Sequence, residues 1–138
     1  MRAILDIAIN DLRIMFKDRS IWINLVIVPL VIVAVALAAS GLGTVVAALV
    51  RTPEQGNIIG GVISLVMGVF GGAFFNTAIF PDFLKSISNL TITYWGTDAF
   101  TKLAQNQTDI STNLIVLFVM GIVLFVVGLT VFNRRLSV

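Results

Sequence analysis

The 138-residue chain contains no cysteine and no histidine. Without cysteine there is no disulfide framework and no thiolate-bound metal. Without histidine the commonest general base and metal ligand is missing, and with it any Ser-His or Cys-His nucleophile. Charge is scarce, at 12% of residues, against about 25% in an ordinary soluble domain. The net charge of +2 and the lack of a basic stripe interleaved with aromatics give no basis for nucleic-acid binding. No Gly-x-x-x-x-Gly-Lys-[Ser/Thr] phosphate loop occurs, so the chain carries no ATPase of its own. No acids pair within the apolar segments, which leaves a proton relay without its usual parts. The chain therefore reads as neither an enzyme nor the holder of a cofactor or metal.

What is abundant is apolar surface: 58% of residues are hydrophobic. A soluble core of this size has no room for so much, and lipid is the expected solvent. Three stretches lack charge, residues 21–50, 57–80 and 112–132. Each exceeds the roughly 20 residues that a helix needs to cross a bilayer while satisfying its own amides. They show no polar face, unlike the helices of a soluble bundle. The expected fold is an all-α, multi-pass protein of the cell membrane, a single transmembrane domain.

Residues 1–19 precede the first span. Arg2, Asp6, Asn10, Arg13 and Lys17 recur every three or four positions, with Leu5, Ala8, Leu12 and Phe16 opposite. That pattern predicts an amphipathic helix in the headgroup plane, with Ser20 capping the span that follows. A cleavable leader is the rival reading, from the small residues of "AVALAAS", but the stretch is too long for one and carries three aspartates.

Lysine and arginine set the orientation. Arg2, Arg13, Lys17 and Arg19 predict a cytoplasmic N-terminus, Arg134 and Arg135 a cytoplasmic C-terminus, and Arg51 an inner turn. Residues 81–111, with two lysines against three aspartates, suit the outer face. Two inner termini require an even number of crossings, and three spans are present. A break near 40–43, with residues 42–50 returning at half depth, would restore parity.

Four stretches carry a resemblance to a known family. "LGTVVAALVRTPEQGNIIG" resembles the end of a fourth span and its cytoplasmic turn, "GVFGGAFFNTAIFPDFLKSIS" a fifth span's exit and the start of short outer helices. "LTITYWGTDAF" and "LTVFNRR" resemble the outer stretch and the end of the last span. These belong to the membrane (permease) subunit of type-2 ABC transporters, exporter-like. "DLRIMFKDRSIWINLVIVPL" resembles the same family's approach to its first span. The likeness falls in two blocks, 1–38 and 42–138, as in an internally deleted permease. Ile92 stands where the family usually has proline.

Residues 81–111 should hold an outer, re-entrant helix pair. Pro81 lacks a donor and suits a helix's first turn. In 81–90, Phe83, Leu84, Ile87 and Leu90 share one face. Residues 97–105 form a second short helix, with Tyr94 and Trp95 between the two at the lipid–water boundary. Asp98 caps a helix start or pairs with Lys102 four residues on. In the second span, Gly60, Ser64, Gly68 and Gly72 recur every four positions as a smooth packing ridge, against a partner helix or within the subunit. Pro29 should kink the first span, and Asn24 is its one amide.

The resemblance implies a permease subunit that forms part of a translocation route, dimerises with itself or a sister permease, and draws on ATP bound to a separate ATPase subunit. The alternative is a non-transporting small membrane protein or relic that associates with other membrane subunits. An independent pore-former is a third reading.

Overall fold

The computed structural model describes residues 2–17, 21 and 23–136, and the described residues form helices joined by turns, with no strand among them. Six α-helices follow in order: α1 (Arg2–Lys17), α2 (Val28–Leu49), α3 (Pro53–Phe70), α4 (Asp82–Ser88), α5 (Ile92–Ala104) and α6 (Ser111–Leu136). Ser20 and Arg19 lie outside the described residues, as do the side chains of Asn24 and Arg135.

Helix α1 forms where the amphipathic pattern places it. Among its described side chains, Ile7, Ile9, Leu12, Ile14 and Phe16 remain more than half exposed.

Helix α2 is one unbroken rod. A π turn at Ile23–Ile27 leads into it, and Pro29 is the second residue of the α-helix proper. A proline has no amide to donate one turn back, and the wide turn falls where that bond would have been. The mid-span kink is thus displaced to the helix's beginning. The expected break near 40–43 is absent. Helix continues through Ser40, Gly41, Leu42 and Gly43, with Thr44 Oγ1 donating to Gly41 O at 2.6 Å. The reason is packing, because Gly41 is buried against α6 and is no hinge.

Helices α2 and α6 run parallel. Val31 packs near Ile110 and Leu114, Ala34 and Ala38 near Leu117, Gly41 against Gly121 and Leu124, and Thr44 against Gly128. Positions rise together along both helices. The small side chains explain the close approach: in lipid, packing drives helix association, and small residues let backbones meet. The 25 residues of Leu25–Leu49 and the 24 of Ser111–Arg134 each contain an 18-residue window of high mean hydropathy, 2.8 and 3.1 respectively. Each stretch spans about 36 Å at 1.5 Å per residue. Only 22% and 17% of those windows is buried, unlike the core helix of a soluble protein.

The second apolar stretch, expected to be helical over 57–80, is helical over Pro53–Phe70. Thr52 starts it, accepting a hydrogen bond from Gln55 N at 3.3 Å, while the Gln55 side chain accepts from Arg51 N at 3.0 Å. Pro53 follows in the first turn, where its missing donor costs nothing. The helix stops at Gly71 and Gly72. Gly72 takes φ +83°, and Ala73 N donates to Gly68 O at 3.0 Å, the six-to-one bond of a Schellman terminus. Gly72 therefore leaves the helix and is not part of a four-residue ridge. Eighteen residues reach about 27 Å, a turn or more short of α2.

Helices α4 and α5 roof the end of the bundle where α2 and α6 begin and α3 ends. Pro81 sits just before α4, as its chemistry favours. Helix α5 begins at Ile92, five residues earlier than expected, so Tyr94 and Trp95 lie inside it and not between two helices. The side chain of Thr91 accepts from Tyr94 N at 3.3 Å and donates to Ser88 O at 2.7 Å. This cap supplies the start that a proline at position 92 would otherwise encourage.

Candidate functional site

The roof is held to the bundle by two polar attachments on adjacent residues of α5. The first joins it to α6. Asn113, in that helix's first turn, is fully buried. Its Nδ2 donates to Asp98 Oδ2 at 2.8 Å and to Trp95 O at 3.1 Å, and its Oδ1 accepts from Lys102 Nζ at 3.1 Å. Lys102 Nζ also lies 2.7 Å from Asp98 Oδ2. Both donors and the acceptor of the amide are used, so a polar side chain is buried without an orphaned group. The pair of Asp98 with Lys102 anticipated from their spacing is present, and Asn113 completes it.

Burial pushes the Asp98 carboxyl up, but the Asn113 hydrogen bond and the Lys102 hydrogen bond and charge together outweigh it and hold the group below its ordinary value. A depressed carboxyl stabilises the fold above its unfolded pKa, and the contribution disappears as pH falls through the folded value. The acid limb of an unfolding curve should therefore steepen below pH 3.8, and Asp98→Asn should remove that part of the slope. Unfolding midpoints in detergent between pH 7 and pH 3 measure it.

The second attachment joins the roof to α3. Thr97 Oγ1 donates to Gly71 O at 2.8 Å. Gly71 lies so close to α5 that an added Cβ would overlap Thr93 and would come within 2.9 Å of Tyr94 N. Trp95 Nε1 donates to Asn89 O at 2.8 Å, tying α5 back to the end of α4. The Tyr94 and Trp95 rings meet edge to face, with centroids 5.5 Å apart.

Two cavities flank these contacts. One is an apolar groove of about 610 Å³ between α2 and α3, closed at one end by α5. The other, of about 670 Å³, is polar and lies between residues 72–78, α4 and α5, with Lys85, Asn89 and Asp98 among its lining residues.

Of the ridge residues, Gly60 and Ser64 line the groove, and an added Cβ at Gly60 would meet nothing within 4 Å. Gly68 is covered by the Phe74 ring of its own chain, and Gly72 borders the polar pocket. The small residues that do bring helices together are Ala34, Ala38 and Gly41 on α2 with Gly121 and Gly128 on α6. Their signal was present as small residues three, four and seven apart. Asn113 was equally available, as the one amide just inside the last apolar run.

An all-helical chain whose two longest helices turn most of their apolar surface outward is a membrane protein. The chain matches the family described as ABC-2 family transporter protein over residues 4–130, nearly its whole length, and it belongs to that family. No curated protein and no solved structure matches it.

Proposed function

We propose that the chain is a permease subunit of an ABC exporter, driven by a separate ATPase subunit and paired with a second copy or a sister permease. The family match over residues 4–130 carries this reading. The lack of a phosphate loop in this sequence is consistent with ATP being bound by a partner. Alternating access would then come from α3 moving relative to the α2–α6 pair, beneath the roof. Co-purification with a Walker-motif ATPase and substrate-stimulated ATP turnover in vesicles are the expected results. Binding without turnover would instead favour a non-transporting subunit. One observation points that way: α2 joins sequence resembling the family's first span to sequence resembling its fourth in a single rod.

The proposed topology has three crossings, α2, α3 and α6, with the roof outside and the C-terminus inside. Because α2 and α6 are parallel, this places α1 on the roof side, contrary to the expectation of two cytoplasmic termini. From Lys17 to Ile23 is six residue steps, which reach at most about 22 Å and cannot recross a core of about 30 Å. With no native cysteine, single thiols report sidedness cleanly. An impermeant maleimide should reach Lys17→Cys and Lys85→Cys from one side and Thr52→Cys from the other. Labelling of positions 17 and 52 together would refute the arrangement.

A further inference from the structure

The apolar groove and the polar pocket are neighbours kept apart by one contact. Thr97 borders both cavities, and its Oγ1 donates to Gly71 O at 2.8 Å where the end of α3 meets α5. That hydroxyl has one proton and three carbonyls within reach, because Thr93 O lies at 2.9 Å and Tyr94 O at 3.1 Å. A threonine hydroxyl readily bonds the carbonyl four residues back in its own helix. If α3 moves off, the proton turns to Thr93 O and no donor on α5 is orphaned.

The roof's hold on the other helices has no such fallback. Parting α5 from α6 would strip the Asn113 amide of every partner, two of them charged. Ile92, Ala99 and Leu103 of α5 are buried with Val31, Ala34 and Ala38 of α2 and with Ile110 and Leu117. Among the described residues, α3 brings to these clusters only the partly buried Met67, and its one buried residue, Gly68, is covered by the Phe74 ring. The connection to the roof is slack as well. Ala73 N and Phe74 N both donate back to Gly68 O, so these residues travel with α3. Residues 75–81 then carry one short turn, Thr77–Ile79, before α4 begins.

We propose that the seam between Thr97 and Gly71 is the joint at which this protein opens. There α3 draws away from α5 while the roof stays fixed to α2 and α6, and the groove of about 610 Å³ runs into the pocket of about 670 Å³. Calling the seam a gate rests on the permease reading; that it opens does not. Adjacent residues of α5 thus have opposite roles, Asp98 holding the roof and Thr97 releasing α3. Gly71 suits the seam because it has no side chain. Its backbone comes close enough to α5 to close the wall, yet parting it withdraws no interlocked group.

The test uses the full chain in lipid nanodiscs, with spin labels on pairs of introduced cysteines and distances read by pulsed electron paramagnetic resonance. Leu65→Cys with Ala104→Cys spans α3 to α5, and Ala104→Cys with Val123→Cys spans α5 to α6; all three positions are exposed. The first pair should give a short and a long distance, the second a single one. Thr97→Val keeps the shape and removes the hydroxyl. It should raise the ratio of long to short about threefold, the scale of one neutral side-chain hydrogen bond in a membrane. Gly71→Ala should raise it further, because the added Cβ would overlap Thr93, and Thr97→Ser should keep the wild-type ratio. The α5–α6 distance should stay single in every variant, which also shows that each one folds. One α3–α5 distance, unmoved by Thr97→Val and by Gly71→Ala, would make the seam a fixed wall and overturn the proposal. A second α5–α6 distance appearing alongside the long α3–α5 one would overturn it too, since the roof would then be leaving α6. None of these readouts needs an ATPase. A seam that opens in a chain that never stimulates ATP turnover would sink the permease reading alone, and turnover with one fixed α3–α5 distance would sink the seam alone.

Discussion

Gly121→Leu is expected to destabilise the helix bundle by about 3 kcal/mol or more, the upper end of overpacking costs in a close-packed core. At this point the two longest helices touch backbone to backbone. A Cβ on Gly121 would stand 3.1 Å from Ala38 N and from the Leu37 side chain, and a Cβ on Gly41 would stand 2.6 Å from Gly121 O. Backbone cannot swing aside as a long side chain can. A leucine must therefore separate the helices along their length, and contacts at Val31, Ala34 and Thr44 weaken together. Helix association in lipid has no hydrophobic driving force to hold a poorly fitting pair. Gly60→Leu is the internal control, since that glycine faces open space, and its cost should stay within about 0.5 kcal/mol, as for surface changes generally. Unfolding by a denaturing detergent from mild micelles measures both. Equal costs at 121 and 60 would show that α2 and α6 do not pack as described.

Asn113→Leu should cost about 2–4 kcal/mol, on the scale of losing hydrogen bonds to charged partners. Two magnitudes compete. Hydrogen bonds between neutral side chains in membranes average only about 0.6 kcal/mol, because the unfolded chain finds other partners. Asn113 bonds to a carboxylate and an ammonium, and leucine would leave both facing an apolar wall where the amide had satisfied them. The charged case governs. Asn113→Asp separates shape from charge. At pH 7 it sets a second carboxylate against Asp98, and like charges at that range raise one pKa sharply. The variant should be weaker than wild type at neutral pH and should recover part of the loss as the pH falls toward 4. An Asn113→Leu protein with wild-type stability would remove the roof's first attachment from the account.

Much of this architecture was legible in the residues. The lengths of the first and last apolar runs gave α2 and α6, and Pro81 announced α4. Asp98 and Lys102, four apart on one helix, gave half of the polar cluster. The remainder was hidden for physical reasons. In water, an apolar stripe says which way a helix faces. In lipid both partner and solvent are apolar, so Ala34, Ala38 and Gly41 compete on equal terms with Gly60, Ser64 and Gly68 as candidate contacts. The parallel pairing of α2 with α6 is invisible to any local pattern. Charge alone, which predicted two inner termini, carries no trace of it. The stop at Gly71 and Gly72 is a different case. Two successive glycines are a termination signal, and reading Gly72 as part of a ridge extended the second span by ten residues.

Parallel neighbours also impose an order on biogenesis. When α2 leaves the insertion machinery its best partner has not yet been made, and α3 and the whole roof must be synthesised first. Through that interval the glycine face of α2 is bare to lipid and open to any other small-faced helix nearby. A nascent chain arrested before residue 111 should therefore be the species most readily captured by foreign subunits, and completing α6 should close that window.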